Sequence, residues 1–335
     1  MELHDLSEFG LIERLARMVA DAGVGTSPPG ARYPLLIGIG DDAAAWQTQE
    51  GIELSTTDTV VEGVHFTQAT TPWQDLGWKV MAANLSDIAA MGGTPLYALV
   101  TLGVPPSTPA SAIEALYRGM IEACLRYSSA IVGGDIARAP VFFVSVTLNG
   151  THQGKPMLRS AAQPGDLLAV TGFLGSSRGG LELLLRPSTS VPVAAAEYLA
   201  QAHRRPRPRL NEGRALVEEG VLAAMDISDG LMDDLGKMMA ASGTAAEVDS
   251  TRVPVHPLLR EAFSERAVSL ALAGGEDYEL LYSAPVPIME RALARIPSAA
   301  VIGRVVAGQA GHVQVLDQHG RPLQAPESGW DHFRS

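Results

Sequence analysis

Carboxylates set beside small residues are the feature of this sequence best suited to chemistry. The stretch MDISDGLMDD, residues 225–234, places four aspartates within nine positions. Further acids stand in GIGDDAA, STTDT and VGGDIA, where we predict the ends of strands. Asp87 lies in the helical pattern ANLSDIAAMGG. Because loops at strand ends are where α/β proteins bind ligands, these acids form a candidate site.

Each aspartate alone has an ordinary structural interpretation. Aspartate is common in turns and at helix N-caps, and Asp229 could equally well cap a helix. The whole set is harder to explain in this way, because each like-charge pair at about 4 Å costs about 4 kcal/mol at an effective dielectric near 20. If several of these acids converge, bound cations must hold them together.

The available donor atoms indicate which cation would bind. Carboxylates and the hydroxyls of Thr56, Thr57 and Ser228 offer only oxygen, which favours Mg²⁺ over zinc or copper. The histidines are scattered without HExxH spacing, although His65 follows STTDT closely enough to reach the same cleft. Several Mg²⁺ ions among carboxylates indicate phosphoryl transfer. The sequence has no GxxxxGK[ST] loop and no protein-kinase motif set, so neither common nucleotide cradle applies.

The elements that must position these acids are mixed. Helical patterns cover about 7–22, 73–91 and 109–128, and strand patterns include LLIGIG, IELSTTDTVV, PLYALVTLGVP and PVFFVSVTLNG. A polar hinge near residue 152 leads into a new buried strand and further alternating helices and strands. We therefore predict an α/β (α+β) fold of two domains, with a mixed sheet and helices in residues 1–152 and an α/β domain in residues 153–335.

Composition restricts the class of protein. With 335 residues, 46% of them apolar, the chain can bury a large core. A net charge of −12 argues against a nucleic-acid or anionic-membrane surface, and no apolar run approaches the ~20 residues that span a bilayer. The single cysteine, Cys124, excludes an intramolecular disulfide and fits a reducing compartment, so we predict a cytoplasmic protein. The basic run HRRPRPRL, residues 203–210, is interpreted as a solvated loop, with anion binding as the less favoured alternative.

An ordered set of motifs resembles one family. The motifs SEFGLIERL, GIGDDAA, STTDTVVEGVHF, NLSDIAAMGGTP, IVGGD, LRSAAQPGDLLAVTG, MDISDGLMDDL, LAGGEDYELL and GWDHF follow one another through almost the whole chain. In that order they are similar to the thiamine-monophosphate kinases of the aminoimidazole ribonucleotide synthetase-like ATP-binding superfamily. One motif alone would be weak evidence, whereas the ordered set is highly specific.

The resemblance implies ATP-dependent, Mg²⁺-assisted phosphorylation of thiamine monophosphate to thiamine diphosphate, the last step in making that cofactor. It also implies that the first domain binds ATP and Mg²⁺ and pairs in a homodimer barrel, while the second completes the substrate cleft. The positions that match metal ligands are Asp42, Thr56, Thr57, Asp58, Asp87, Asp135, Asp226 and Asp229. Positions near the nucleotide are Gly134, Asp135, Arg159 and Ser228, and those near the thiamine portion are His65, Glu276 and Trp330.

Two positions depart from the family pattern. Ile136 and Ala137 follow GGD where the family usually has threonine, and Lys237 stands where histidine is common. We expect Lys237 to pair with Asp233 one turn earlier in the helix. Neither departure removes an implied metal ligand.

The implied chemistry assigns roles to three side chains. The acceptor is a phosphate monoester whose second pKa is about 6, so near neutral pH it is an anionic nucleophile that needs no general base. We expect Asp42 and Asp229 to act by binding metal and Arg159 by adding positive charge between the two phosphates during in-line transfer. The acids of MDISDG should then face those of GDD and TTDT across one cleft, while Asp233 and Asp234 are mostly solvated.

Several alternatives stay open on the sequence alone. Selenophosphate synthetase normally carries a reactive cysteine or selenocysteine in an N-terminal glycine-rich loop, whereas Cys124 lies in a helical pattern and is interpreted as a buried apolar residue. The purine-pathway and hydrogenase-maturation relatives lack the closing GWDHF motif. A metal-dependent phosphohydrolase would use the same acids with water as acceptor. A non-catalytic Mg-nucleotide sensor would bind ATP and form no product. Trp330 could stack on a thiamine ring or simply anchor the C-terminus.

Overall fold

The structure is a computed structural model that describes residues 8–31, 33–37, 45–46, 51–186 and 191–323. The chain divides into two compact units, of which the first comprises Met1–Ile88 with Gly93–Gly154 and the second comprises Ala89–Gly92 with Lys155–Ser335. Each unit has its own sheet, helices and buried core.

The first unit combines a four-stranded sheet with helices. Its elements are α1 (Glu8–Asp21), β1 (Leu35–Ile37), β2 (Ala45–Trp46), β3 (Ile52–Val61), α2 (Trp73–Ala90), β4 (Thr94–Val104), α3 (Ala110–Tyr127), β5 (Ala130–Arg138) and β6 (Phe143–His152). The sheet order is β3-β6-β4-β5, with β4 and β5 parallel and the other pairs antiparallel, while β1 and β2 pair with each other. Strand β3 shows the expected alternation, since Leu54 is buried between exposed Glu53 and Ser55.

Helices α2 and α3 cross so closely that two glycines meet the opposing backbone. A Cβ atom at Gly77 would lie 1.9 Å from the carbonyl oxygen of Leu116, and one at Gly119 would lie 1.8 Å from that of Gln74. Glycine inside a helix costs about 1 kcal/mol relative to alanine, and here the close approach of the two helices requires it. The crossing therefore depends on glycine at both positions.

The second unit combines a six-stranded sheet with seven helices in the part of the chain that the structure describes. Its elements are β7 (Leu167–Thr171), α4 (Ser176–Leu185), α5 (Val193–Arg204), α6 (Leu210–Glu219), β8 (Ala223–Asp226), α7 (Leu231–Ser242), β9 (Ala245–Asp249), α8 (Pro257–Phe263), α9 (Arg266–Ala273), β10 (Leu280–Ala284), α10 (Val286–Arg295), β11 (Ala299–Val306) and β12 (Val313–Leu316). The sheet order is β12-β9-β11-β7-β10-β8, and only the β12–β9 pair is parallel. The core is aliphatic and methionine-rich, with Leu168, Met225, Leu235, Met238 and Ile302 among its members.

The predicted mixed α/β class with two sheets is confirmed, but two local predictions are wrong. Asp58 is the seventh residue of the ten-residue strand β3, and Asp135 lies inside β5, which continues to Arg138. Neither acid stands at the end of a strand. Within the described ranges, none of the helices combines the length and the hydropathy that crossing a bilayer requires.

Candidate functional site

Three loops meet at one edge of the sheet in the second unit. Strand β10 is antiparallel to both β7 and β8, so the ends of β7 and β8 and the start of β10 lie at the same edge. The loops there carry the motifs VTGFLG, MDISDG and AGGEDYE. Backbone bonds join the last two motifs, because the N–H groups of Glu276 and Tyr278 donate to the carbonyl oxygens of Ser228 and Ile227 at 2.7 and 2.9 Å.

Asp234 anchors the MDISDG loop. Its Oδ2 atom accepts hydrogen bonds from the backbone N–H groups of Ser228, Asp229 and Gly230 at 3.0, 2.9 and 3.1 Å. The side chain is 1% exposed, so the prediction that Asp234 is solvated is wrong. Burial raises the pKa of this carboxyl, although Lys237 and the loop N–H groups oppose the change. The first turn of α7 thus holds the loop that precedes it.

Lys237 forms ion pairs with three aspartates. Its Nζ atom lies 2.5 Å from Asp229 Oδ2, 2.5 Å from Asp233 Oδ2 and 3.1 Å from Asp234 Oδ1. The predicted pair between Lys237 and Asp233 is therefore confirmed. Burial alone would lower the pKa of Lys237, but the three carboxylates outweigh burial and raise it. Asp229 does not cap α7, because the N-cap residue is Gly230.

The other acids at this edge are buried or held by the backbone. Asp226 is the last residue of β8, as predicted, and is 3% exposed. Glu276 has a φ of +65°, which is uncommon for a residue with a side chain. Beside it, the Asp277 carboxylate accepts the N–H groups of Gly175 and Ser177 at 2.5 and 3.0 Å, at the start of α4. Burial raises the pKa of Asp277 to about 7, against the lowering effect of these two donors.

The basic run HRRPRPRL is not simply a solvated loop. Arg209 makes a two-pronged contact with the carboxylate of Glu279, which is 4% exposed and also accepts from the Thr171 hydroxyl at 2.7 Å. His203 is 1% exposed at the end of α5. Burial raises the pKa of Glu279 to about 7, although Arg209 opposes the change. The solvated interpretation is therefore wrong for these two members of the run, because both are drawn in by carboxylates.

In the first unit, the structure brings Thr56 and Asp87 together. The Thr56 hydroxyl donates to Asp87 Oδ2 at 2.5 Å, which joins β3 to the last turn of α2. Asp58 lies two residues further along β3, so its side chain is on the same face of the sheet as Thr56. Thr57 is on the opposite face, where the Thr147 hydroxyl of β6 donates to its oxygen at 3.2 Å.

Asp58 and Asp135 lie far apart within one copy of the chain. Strands β3 and β5 are the two outer strands of the four-stranded sheet. Asp58 is in register with Val146, Val100 and Gly134 across successive strands, which separates β3 from β5 by about 14 Å at ~4.8 Å per strand. Asp135 is one position further on and lies on the opposite face. One metal ion therefore cannot bind both acids of a single chain.

The remaining candidates occupy varied surroundings. His65 accepts the Val61 N–H at its Nδ1 atom at 3.1 Å, so its Nε2 atom carries the ring hydrogen. Gly134 and Arg159 are exposed, and the Arg159 carbonyl accepts from the Ser242 hydroxyl at 2.9 Å. Asp42 and Trp330, like Asp41, lie outside the described residues.

The donor chemistry of the described candidates suits magnesium. Their side chains offer carboxylate and hydroxyl oxygens, which are the ligands that Mg²⁺ prefers. The backbone N–H groups of Ser228, Asp229 and Gly230 already donate hydrogen bonds to Asp234. They are therefore not available as donors to a phosphate. A polyphosphate at this edge would therefore require positive charge from cations rather than from these backbone N–H groups.

Sequence reasoning missed the residues that support the site. Asp234 is interpreted from sequence as a surface acid, while Asp277 and the Arg209–Glu279 pair are not identified at all. The signal available for Asp234 is its place in the first turn of a helix, where acids accept free N–H groups. Asp277 contacts Ser177 across 100 positions of sequence, a separation that no local pattern encodes.

Comparisons with known proteins agree with the two units. Residues 40–152 match the family described as AIR synthase related protein, N-terminal domain, and residues 163–316 match the corresponding C-terminal domain. The chain is 35% identical over 338 residues to thiamine-monophosphate kinase of Escherichia coli K12, with 97% of this chain and 98% of the relative covered.

Two solved structures are similar over nearly the whole chain. Thiamine-monophosphate kinase from Stenotrophomonas maltophilia K279a is 34% identical, with a TM-score of 0.79, and 95% of this chain and 98% of that chain are covered. A structure described as AaThiL complexed with AMPPCP and TMP is 32% identical, with a TM-score of 0.76 and 99% of both chains covered.

Proposed function

The chain belongs to the thiamine-monophosphate kinase family, and we propose that its acidic loops hold the magnesium ions on which this activity depends. The protein transfers a phosphoryl group from ATP to thiamine monophosphate and forms thiamine diphosphate. One observation carries this conclusion, namely full-length similarity to a solved relative that holds both AMPPCP and TMP.

The proposed metal ligands are carboxylates and hydroxyls. They are Asp42, Thr56, Thr57, Asp58, Asp87, Asp135, Asp226 and Asp229. When bound there, Mg²⁺ would neutralise phosphate oxygens and reduce the repulsion between donor and acceptor. The contact between Thr56 and Asp87 supports this assignment, because it already brings two of the oxygen ligands together.

The protein residues have mainly an orienting task. Because the acceptor phosphate is already anionic near neutral pH, the site needs no side chain that removes a proton. We propose that Gly134, Asp135, Arg159 and Ser228 contact ATP, with the exposed Arg159 supplying positive charge. His65, Glu276 and Trp330 are proposed to contact the thiamine portion, so that the two phosphates are aligned for in-line transfer.

A homodimer is also part of the proposal. The outer strands β3 and β5 carry Asp58 and Asp135 at opposite edges of one sheet. If β5 of a second copy pairs beside β3, that copy supplies an Asp135 close to Thr57 and Asp58. Edge strands offer unpaired backbone groups for such an addition. We place the reaction in the cytoplasm, since ATP is the co-substrate and a single cysteine suits a reducing compartment.

The direct test is product analysis. Full-length protein incubated with Mg²⁺, ATP and thiamine monophosphate should form thiamine diphosphate, detected by mass spectrometry, and excess EDTA should abolish its formation. Phosphate release from ATP at the same rate without thiamine monophosphate would instead identify a phosphohydrolase. Nucleotide binding with no product in either mixture would identify a non-catalytic sensor.

A further inference from the structure

A buried histidine contacts the acid that is proposed to face the thiamine portion. The Nδ1 atom of His203 lies 3.4 Å from Glu276 Oε2 and 3.1 Å from the Ser177 hydroxyl oxygen. The His203 side chain is 2% exposed and that of Glu276 is 31% exposed. The three residues come from separate segments: Ser177 is the second residue of α4, His203 lies near the end of α5, and Glu276 lies in the loop before β10.

The role of the His203 ring depends on which ring nitrogen carries the hydrogen. An ionised carboxylate only accepts hydrogen bonds, so His203 bonds to Glu276 in the tautomer that carries a hydrogen on Nδ1. The Ser177 oxygen lies within reach of the same hydrogen and can accept it as well. In that tautomer the buried ring directs its N–H group at Oε2 of Glu276, whose side chain is partly exposed.

The backbone of Glu276 is constrained as strongly as its side chain. Its φ is +65°, and its N–H donates to the Ser228 carbonyl at 2.7 Å. A Cβ at the preceding Gly275 would lie 2.5 Å from that same carbonyl oxygen, so the two loops are in direct backbone contact. The following residue, Asp277, is tied to the start of α4. Non-glycine residues held at positive φ cluster at functional sites, where surrounding contacts maintain the strain.

We infer that His203 is a positioning residue that, together with Ser177, orients the Glu276 carboxylate toward the cationic or amino-bearing heterocycle of the acceptor. This inference deepens the proposed function and rests on it. A carboxylate held in one orientation attracts a positively charged ring more strongly than a mobile one, because no side-chain freedom is lost on binding. His203 then affects the acceptor and leaves ATP binding unaffected.

A purely structural role for His203 makes a different prediction. A core histidine that only fills space would, when replaced, lower stability and reduce the binding of both substrates together. The positioning role predicts a selective change in KM for thiamine monophosphate. It also predicts rescue by asparagine, whose side-chain N–H lies close to the place of Nδ1, but not by leucine, which has similar bulk and no donor.

The experiment compares His203→Leu, His203→Asn and Ser177→Ala in the full chain. We expect His203→Leu to raise KM for thiamine monophosphate about tenfold, with KM for ATP and kcat within about twofold of wild type, and His203→Asn to recover most of this loss. Ser177→Ala should raise the same KM about threefold. His319→Leu is the matched control, because His319 is exposed, and it should leave every parameter unchanged.

Two further measurements separate the possible outcomes. Calorimetric titration of thiamine monophosphate into each folded variant measures binding without turnover, and the thermal midpoint of each variant reports folding. If wild type makes product but His203→Leu and Ser177→Ala bind thiamine monophosphate normally, the inference alone is overturned. If both KM values rise together, His203 is structural and the inference is also overturned. If His203→Leu does not fold, Ser177→Ala and His203→Asn decide the question. If wild type fails to make product or to bind the acceptor, both the inference and the proposed function are overturned.

Discussion

Asp229 and Asp233 both lie 2.5 Å from the Lys237 ammonium, yet only Asp229 belongs to the proposed metal ligands. We expect Asp229→Asn to lower kcat/KM by roughly 100-fold or more at saturating Mg²⁺, because loss of a ligand weakens metal binding strongly. Asp233→Asn should stay within about threefold of wild type, since a partly exposed ion pair of this kind contributes little. Steady-state kinetics on both variants make the comparison.

The outcome also distinguishes two ways in which the acids could work. One oxygen from each of Asp229, Asp233 and Asp234 lies within 4.8 Å of the others, so a local three-acid site is geometrically conceivable. Equal losses in the Asp229 and Asp233 variants would favour this local site. They would contradict the proposed set of metal ligands, which includes Asp229 but not Asp233.

Asp277 makes a prediction about pH. Its pKa is raised from 3.8 to about 7 by burial, so between these values the folded chain keeps a proton that the unfolded chain has lost. The folded state then binds more protons, and the free energy of unfolding falls as pH rises. The contribution is complete below the unfolded pKa of 3.8 and is lost as pH rises through about 7.

Replacing Asp277 with asparagine should remove this dependence. Between pH 4 and 8, the stability of Asp277→Asn relative to wild type should improve by more than about 1.4 kcal/mol, the equivalent of one pKa unit. Urea denaturation across this range measures it. Asp317→Asn is the control, because the pKa of Asp317 is lowered to about 2, chiefly by hydrogen bonds from Arg321, and its carboxyl does not titrate there. A pH-independent difference for Asp277→Asn would show that the buried carboxyl is ionised throughout.

At the scale of elements, the connection between α7 and its preceding loop is the informative one. Asp234→Ala leaves the N–H groups of Ser228, Asp229 and Gly230 without their acceptor. We expect this variant to lose about 3 kcal/mol of unfolding free energy, because several hydrogen bonds to one buried charged group are lost together. Asp233→Ala, on the same helical turn, should lose less than about 0.5 kcal/mol.

Denaturant titration gives both values, and hydrogen exchange locates the effect. The three loop amides should exchange faster in Asp234→Ala while those in the core strands keep their protection. Unchanged exchange at these amides would mean that the loop is held by other contacts. Asp234 would then not be needed to hold Asp229 in place.

Elements with a long, regular pattern can be predicted from the sequence, and elements defined by distant contacts cannot. Strand β3 follows its alternating pattern over the predicted range, and α2 and α3 agree with theirs to within one residue at each end. Helices α8 and α9 have only seven and eight residues, too few to display a helical period, so the sequence pattern does not indicate them.

Glycine explains why β5 was predicted to end early. Gly133 and Gly134 normally indicate a turn, yet both lie in the strand. A Cβ at Gly134 would lie 1.9 Å from the Val100 carbonyl oxygen, so this glycine permits close approach to the neighbouring strand. The site shows the same difference between local patterns and distant contacts. Asp226 and Asp87 can be located from their motifs. The partners of Asp277 and Glu279 depend on the tertiary fold.

For the whole molecule, the separation of Asp58 from Asp135 predicts that two copies share each site. Asp58→Ala and Asp135→Ala should each be inactive alone. Mixed after unfolding and refolded together, they should recover about a quarter of wild-type activity, because half of the dimers are mixed and each mixed dimer has one intact site of two. Product formation is the readout, and sedimentation confirms that dimers form.

The same experiment can fail clearly. If both acids of one chain served one site, every site in a mixed dimer would lack one ligand and no activity would return. Refolded wild type and each refolded variant alone serve as controls for recovery. A monomeric wild type that is fully active would contradict the shared site directly.

The crossing of α2 and α3 has a consequence for the acid that α2 carries. Gly77 is ten residues before Asp87, about 15 Å along the helix axis, yet a methyl group at Gly77 would act as a wedge against the Leu116 carbonyl. Tilting α2 in this way would shift Asp87 away from Thr56. Once a side chain at Gly77 had separated the helices, a second substitution at Gly119 would lower the free energy of unfolding less than it does alone. The two positions are therefore thermodynamically coupled. The position of Asp87, a proposed metal ligand, thus depends on the absence of a Cβ atom at Gly77 and Gly119.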